Sequence, residues 1–151
     1  MIYDFRKGPN PIAEREKSQD VFSLTGSGDH IYYGCRKHTV NPFCLNTFTT
    51  LNPLHPPHFD VVTSLALLGG GTTLVSGSRD KNLRLYDLKS PTLENYENVI
   101  NAHSDHINTL ETDADQNYLY SGSKDGIVKV WSLSHSTNRE LTCMSTMEGN
   151  A

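Results

Sequence analysis

Histidine, serine and aspartate occur twice in this chain in the same order and at the same spacing. Together they are the side chains of a hydrolase site, in which the histidine activates the serine and the aspartate orients the histidine. A structural element recurs at a fixed period, whereas an active site usually does not, and neither serine lies in a Gly-x-Ser-x-Gly elbow. We therefore expect a buried hydrogen-bonding role, with serine hydrolase chemistry as an alternative. The two sets, 45 positions apart, are His58, Ser76, Asp80 and His103, Ser121, Asp125.

The segments that carry these residues have the pattern of paired β-strands. Residues 118–131 read as two strands joined by the tight turn Asp125-Gly126. Tyrosine, valine and isoleucine favour extended chain, and glycine accepts a positive φ without steric cost. Residues 73–86 repeat the same plan. The aromatic residues that end the two segments, again 45 positions apart, are Tyr86 and Trp131.

This combination resembles the WD40 repeat, whose period is about 40–45 residues with four strands in each unit. The resemblance implies an all-β fold of about three four-stranded antiparallel blades. It implies a partial or open propeller, because closed propellers have typically 4–8 blades. It also implies a buried relay in which the tryptophan ring N–H bonds to serine, serine to histidine and histidine to aspartate. The complete set is His103, Ser121, Asp125 and Trp131. In the other repeat Tyr86 takes the place of the tryptophan.

A third, degenerate repeat is predicted within residues 21–57. Its apolar positions match those of the other two, but Tyr33, Lys37 and Phe43 stand where serine, aspartate and tryptophan are expected. Residues 46–57 within it are predicted to be a proline-rich linker. The other predicted segments are an N-terminal strand and loop (1–20), repeats at 58–100 and 101–145, and the truncated start of a further repeat (146–151).

Composition restricts the class of protein and its partners. The chain is mildly acidic, with 13 Lys and Arg against 17 Asp and Glu. This balance argues against a nucleic-acid partner. No apolar run approaches the roughly 20 residues that span a bilayer, and the N-terminus lacks an apolar signal region. Three cysteines without regular spacing indicate reduced thiols, so we expect a cytoplasmic protein without a membrane partner.

Two further motifs could in principle bind a metal or a nucleotide. Cys35, His38 and Cys44 have a spacing that could hold zinc, but a structural zinc site needs four ligands. We expect these thiols to fill β-strands instead. The glycine clusters at 26–28 and 69–71 lack the lysine of a phosphate-binding loop. No metal and no cofactor are therefore expected.

A basic residue precedes each predicted turn between the second and third strands of a repeat. These positions are equivalent in the three repeats, so the cations should share one end of the propeller. A local basic arc on an acidic chain attracts an acidic partner. Ordinary solvated turn charge is the alternative interpretation. The candidate partner-binding residues are Arg36, Arg79 and Lys124.

Two stretches give a more specific resemblance. Residues 56–60, Pro-Pro-His-Phe-Asp, and residues 101–105, Asn-Ala-His-Ser-Asp, are similar to the C-terminal WD40 propeller of kinesin-4 motors. Members of that subgroup are long motors that restrain microtubule growth. The resemblance implies a noncatalytic interaction platform on the cytoskeleton, with tubulin or regulatory proteins as partners. It places the ATPase activity of such a parent in a motor domain that these residues do not contain.

One alternative function and one further expectation remain at this stage. The chain could instead be a partner- or substrate-recruiting WD40 subunit of another complex, such as a ubiquitin ligase or a signalling scaffold. Separately, an open set of blades leaves strand edges and apolar faces unpaired, which favours self-association.

Overall fold

The computed structural model describes residues 2–3, 11–13, 20–90, 95–134 and 140–148. Strands and turns make up these residues, and none of them forms a helix that could cross a bilayer. The strands, in chain order, are β1 Ile2–Tyr3, β2 Pro11–Ala13, β3 Val21–Ser27, β4 His30–Cys35, β5 Val40–Cys44, β6 Thr49–Thr50, β7 Val62–Leu68, β8 Thr73–Ser78, β9 Leu83–Asp87, β10 Asn95–Val99, β11 Ile107–Thr112, β12 Tyr118–Ser123, β13 Ile127–Leu133 and β14 Leu141–Glu148.

Twelve of these strands form three antiparallel four-stranded sheets, each of which connects its strands in chain order. We call β3–β6 blade 1, β7–β10 blade 2 and β11–β14 blade 3. The prediction of an all-β fold with three four-stranded blades is therefore confirmed. The remaining strands, β1 and β2, pair with each other.

Blade 2 lies between the other two, because its first strand β7 packs against both β3 and β11. Each junction is filled by side chains from both blades. Between blades 1 and 2 the buried cluster includes Tyr32, Val62 and Leu65. Between blades 2 and 3 it includes Val75, Ile107 and Trp131, and most of its members are nearly inaccessible to solvent. Burial of these faces is the main favourable contribution to joining the blades.

In all three blades the turn between the second and third strands has a left-handed backbone conformation at the same position. The residue is Gly126 in blade 3, with φ of 81°, Lys81 in blade 2, with φ of 76°, and His38 in blade 1, with φ of 68°. Only glycine adopts this conformation at no cost, so the two other blades retain the turn against local preference. The surrounding strand pairing must therefore impose the turn geometry there.

Three segments differ from the sequence prediction. The stretch predicted as a linker contains β6, which completes blade 1, and Leu54 within it is buried. Residues 11–13, predicted as loop, form β2. Strand β14 extends through Glu148, into the stretch predicted as the start of a further repeat, because β13 offers pairing partners as far as Ile127. Residues 149–151 lie outside the described residues.

Candidate functional site

The complete relay lies in blade 3. It joins the segment before β11 to β12, to β13 and to the turn between these two strands. The Trp131 indole Nε1–H donates to Ser121 Oγ at 2.8 Å. Ser121 Oγ lies 2.7 Å from His103 Nε2, and His103 Nδ1 lies 3.0 Å from Asp125 Oδ2. His103, Ser121 and Trp131 are all buried. The structure thus joins the four side chains in the order that the resemblance implied.

Blade 2 holds the same histidine, serine and aspartate chain, but Tyr86 stands in the place of the tryptophan. His58 Nε2 lies 2.7 Å from Ser76 Oγ, and His58 Nδ1 lies 2.8 Å from Asp80 Oδ2. Tyr86 donates a long hydrogen bond, 3.4 Å, to the carbonyl oxygen of Pro56. Burial raises the pKa of Tyr86 to about 12, although its hydrogen bond with Ser76 acts in the opposite direction. The phenol therefore stays protonated and fills the position of the indole.

Each aspartate also holds the turn that follows it. Asp125 accepts hydrogen bonds from the backbone N–H of Ser104, at 3.2 Å, and of Ile127, at 2.8 Å. Asp80 makes the equivalent contacts with Phe59 and Asn82. One carboxylate therefore connects the histidine ring to two backbone segments, so the relay positions both the entry to the blade and its central turn.

The pKa directions define the protonation state of both pairs. Burial lowers the pKa of His58 and His103, against the opposing effect of the neighbouring carboxylate. Burial acts to raise the pKa of Asp80 and Asp125, but hydrogen bonds from the histidine rings and the backbone outweigh it and lower the pKa. The histidines are therefore neutral and the aspartates charged. Because a carboxylate only accepts, each ring donates from Nδ1 and accepts the serine hydroxyl at Nε2.

Acid should destabilise the fold in two successive ranges of pH. As pH falls below about 6.5, the unfolded chain binds protons at histidines that stay neutral in the folded chain, so the free energy of unfolding falls. A further loss is expected below about 3.8, where the unfolded aspartates protonate before the folded ones. Denaturant unfolding measured between pH 7.5 and 3 tests this. In His103→Asn the slope of stability against pH near pH 6 should shrink, and an unchanged slope would contradict the assignment.

The burial of the serines limits the chemistry that the relays can perform. Ser76 and Ser121 have no exposed surface, and both hydroxyls already bond to a histidine inside the sheet. A nucleophile must reach the substrate carbonyl carbon, which neither oxygen can do without separating the strands. The arrangement suits a structural hydrogen-bond chain and is unsuited to the hydrolase alternative.

The basic arc lies on exposed turns at one end of the blades, and we call Arg36, Arg79 and Lys124 the turn face. Phe22, which is 40% exposed, connects the first two members. The guanidinium carbon of Arg36 lies 5.6 Å from the centre of the Phe22 ring, and that of Arg79 lies 6.0 Å from it. Two cations thus share one aromatic side chain across the junction of blades 1 and 2.

The members of the turn face differ in how far their charge is compensated. Arg36 forms an exposed ion pair with Asp20 at 3.0 Å, which reduces its net charge contribution. Arg79 and Lys124 have no ion pair within the part of the chain that the structure describes, and their backbone N–H groups bond to the equivalent carbonyls of Val61 and His106. Arg79 and Lys124 therefore occupy matching positions, and neither side chain is ion-paired within the described residues.

Cys35, His38 and Cys44 do not come together. Cys35 is buried at the end of β4, where its sulfur lies 3.5 Å from Asn41 Nδ2. Cys44 pairs with His30 at the opposite end of the same two strands. Across the described ranges no group of three metal-ligating side chains is present.

Phe22 is the site residue that the sequence reasoning missed. It stands in the second position of β3, where the other blades have Thr63 and Asn108. An aromatic residue at that point of a degenerate repeat was the available signal. Its contact with Arg79 depends on the packing of blade 1 against blade 2, which the sequence does not show.

Comparison with known proteins decides the family. The model of the WD domain, G-beta repeat, matches residues 44–87 and 94–132. The chain belongs to the WD40 repeat family. Its WD40 repeats therefore form a protein-interaction domain of a fold that is typically noncatalytic.

Individual relatives give further detail. The chain is 34% identical over 122 residues to kinesin-like protein KIF21A of Homo sapiens, covering 81% of this chain and 7% of that protein. It is 25% identical over 128 residues to the DDB1- and CUL4-associated factor 11 homolog of Caenorhabditis elegans, covering 83% of this chain and 22% of that protein. The similarity to kinesin-like proteins that was expected from the sequence is confirmed. The chain thus spans a small part of the length of these relatives.

A solved structure shows the same fold. The WD40 repeats of RRP9 superpose with a TM-score of 0.76 at 20% identity, covering 89% of this chain and 40% of that chain. At this identity the likeness concerns the fold alone.

Proposed function

We propose that these WD40 repeats are a noncatalytic cytoplasmic platform that binds the acidic surface of microtubules through the turn face, as part of a kinesin-like tail. The observation that carries the proposal is the arrangement of Arg36 and Arg79 around Phe22, with the uncompensated Lys124 at the equivalent turn of blade 3. The similarity to KIF21A supports the choice of partner.

The chemistry of the turn face fits an acidic protein partner. Arg79 presents a planar guanidinium that can bind a carboxylate through two hydrogen bonds, and an aromatic ring beneath it restricts its orientation. Phe22 also offers an apolar contact between Arg36 and Arg79. Aromatic and arginine side chains are the groups that most often dominate the energy of protein interfaces. The exposed Lys37 and Lys81 in the same turns add positive charge around them.

The absence of catalysis is part of the same proposal. Both relay serines are buried and already hydrogen-bonded, and the relays recur with the repeat. A fluorophosphonate probe, which labels activated serines, should leave the chain unmodified. Labelling at Ser76 or Ser121 would restore the hydrolase alternative.

Charge reversal on the turn face tests the microtubule proposal. In Arg79→Glu/Lys124→Glu, co-sedimentation with microtubules should fall by about tenfold or more, since two attractive contacts become repulsive. Binding by the wild-type chain should weaken as salt rises, because a Debye length of about 8 Å at physiological ionic strength screens exposed charges. The free energy of unfolding should stay nearly constant, since these side chains are exposed.

Lys89→Glu is the matched control. Lys89 is also exposed, but it lies in the turn after β9, at the opposite end of the blade from Arg79. The Lys89→Glu variant should sediment with microtubules like the wild type. Equal binding by wild type and the double reversal would show that the turn face carries ordinary surface charge. No binding by either would remove the microtubule proposal.

A second candidate is a partner-recruiting subunit of another complex, and the similarity to a DDB1- and CUL4-associated factor favours it. In that case the exposed turns would bind an acidic or neutral protein other than tubulin. Affinity capture with wild type and Arg79→Glu/Lys124→Glu separates the two: tubulin lost from the variant supports the first function, and DDB1 retained in place of tubulin supports the second.

A further inference from the structure

The third strand of each blade carries a long polar side chain at an equivalent position, three residues after the left-handed turn residue. The residues are Asn41 in blade 1, Arg84 in blade 2 and Lys129 in blade 3. Two of them are satisfied by backbone carbonyl oxygens. Lys129 Nζ donates to Ala102 at 2.6 Å, and Asn41 Nδ2 donates to Thr39 at 3.2 Å. Arg84 is not satisfied in this way.

The Arg84 side chain is a buried charge with an unpaired donor. It is only 4% exposed, and its Nη1 donates to Asn98 Oδ1 at 2.8 Å. Among the described residues its buried Nε–H has no hydrogen-bond partner and its guanidinium has no ion pair. The relay carboxylate of Asp80 already accepts from His58 and from two backbone N–H groups. Burial without a counter-ion or an acceptor is costly, so a carboxylate at this point would offset a penalty already present in the fold.

An exposed aromatic ring covers this guanidinium. Arg84 Cζ lies 5.8 Å from the centre of the Phe59 ring, and Phe59 is 78% exposed. Exposed side chains change rotamer within nanoseconds, so the ring can give access to the group beneath it. Ser104 is the equivalent of Phe59 in blade 3, because both residues donate their backbone N–H to the relay aspartate. The exposed aromatic and the unpaired guanidinium thus occur together in blade 2, and neither occurs in blade 3.

The surroundings of Phe59 and Arg84 are apolar and basic. Ile100, which is 62% exposed, lies two residues beyond Asn98, the strand partner of Arg84. Lys81 is exposed in the turn at the same end of the blade. Because blade 2 lies between blades 1 and 3, both sides of its sheet already have a neighbour. This combination of exposed apolar groups and positive charge is complementary to an acidic polypeptide that also carries an apolar side chain.

We propose that Arg84 and Phe59 form a binding site for a carboxylate of an acidic segment in the partner protein. The Nη1 bond to Asn98 leaves the Nε and Nη2 edge of the guanidinium, which can bind a carboxylate through two parallel hydrogen bonds. An apolar residue next to that carboxylate then contacts Phe59 and Ile100. The inference rests on the proposed function, in that the partner is acidic, and it adds a contact outside the turn face.

Fluorescence anisotropy with a labelled peptide tests this site on the full chain. The probe has the sequence Glu-Glu-Phe-Glu-Glu, and its neutral counterpart has glutamine in place of every glutamate. The wild type should bind the acidic peptide about tenfold or more tightly than the neutral one. Arg84→Met keeps an apolar stem but removes the guanidinium, so its affinity for the acidic peptide should fall by about tenfold or more.

Lys129→Met is the matched control in blade 3. Since Lys129 already donates to the Ala102 carbonyl, this variant should bind the acidic peptide like the wild type but unfold at a lower denaturant concentration. Arg84→Met should unfold at the same denaturant concentration as the wild type or a higher one, because an apolar side chain replaces a buried charge without a counter-ion. A purely structural Arg84 would give the reverse result, with stability lost and peptide affinity retained.

Phe59→Ala is a second test at an exposed position. Its affinity for the acidic peptide should fall about threefold or more, while its unfolding stays unchanged. A wild type without preference for the acidic peptide, or Arg84→Met and Phe59→Ala variants that bind it like the wild type, would overturn the inference.

Microtubule co-sedimentation separates this site from the proposed function. Binding of the acidic peptide through Arg84 by a chain that does not sediment with microtubules would support the site and remove only the microtubule proposal. Sedimentation that is lost in Arg79→Glu/Lys124→Glu but unchanged in Arg84→Met would support the turn face and overturn this inference.

Discussion

Asp125→Ala is expected to lower the free energy of unfolding by about 2–4 kcal/mol, because hydrogen bonds to a buried charged group are lost and a buried donor is left unpaired. The carboxylate accepts from His103 Nδ1 at 3.0 Å and from the backbone N–H of Ser104 and Ile127. Without it the imidazole N–H has no acceptor in a low-dielectric interior, where the penalty is largest. Denaturant unfolding followed by tryptophan fluorescence measures the loss directly, since Trp131 is the single tryptophan.

Two variants make the Asp125 result specific. Asp125→Asn keeps an oxygen acceptor of the same shape, so it should lose less stability than the alanine variant. Asp115→Ala removes a carboxylate from an exposed loop position and should change stability by less than about 0.5 kcal/mol. If Asp125→Ala and Asp115→Ala unfold at the same denaturant concentration, the relay contributes nothing to stability.

Gly34→Ala should destabilise the junction of blades 1 and 2 by about 3 kcal/mol, as expected for overpacking against a rigid neighbour. The added Cβ would lie 2.6 Å from Val62 Cγ1 and 3.1 Å from the Val62 carbonyl oxygen. The backbone of β7 cannot yield easily, since β7 is paired with β8 and also packs against β3 and β11. The two blades must therefore separate or the strand must shift.

A double-mutant cycle identifies the cause of that loss. Val62→Ala removes the nearest methyl group, so Gly34→Ala should cost less in its presence, with a coupling energy of about 1 kcal/mol or more. Gly26→Ala is the control, because its Cβ would meet only the carbonyl oxygen of His30, at an ordinary 3.7 Å. Additive effects of the substitutions at positions 34 and 62 would show that the glycine is not needed for this contact.

The relays show how far local spacing predicts a site. A hydrogen-bond chain built within one repeat has fixed sequence offsets, so the resemblance to the WD40 repeat is enough to assign His103, Ser121, Asp125 and Trp131 to it. The same spacing does not reveal that Tyr86 turns to Pro56, because that carbonyl belongs to the loop before the blade. A side chain that reaches another segment depends on where that segment passes.

Strand limits were less predictable where the repeat is degenerate. Thr49–Thr50 carries no apolar alternation, and it becomes β6 only because Phe43 and Cys44 offer a free strand edge. The left-handed turns at His38 and Lys81 likewise contradict local preference and are imposed by the strands on either side. In both cases pairing with a neighbour outweighs the intrinsic tendency of the residues.

The sequence by itself determined the period, the four strands of the two regular blades and the residues of the relays, since all of these follow from contacts inside one repeat. Only the tertiary structure decided which faces are covered. Val21 and Val62 are the same residue type at the same place in their strands, yet one is 56% exposed and the other is fully buried. The difference arises because burial depends on the blade that packs against the strand, and the residues of the strand itself do not specify that neighbour.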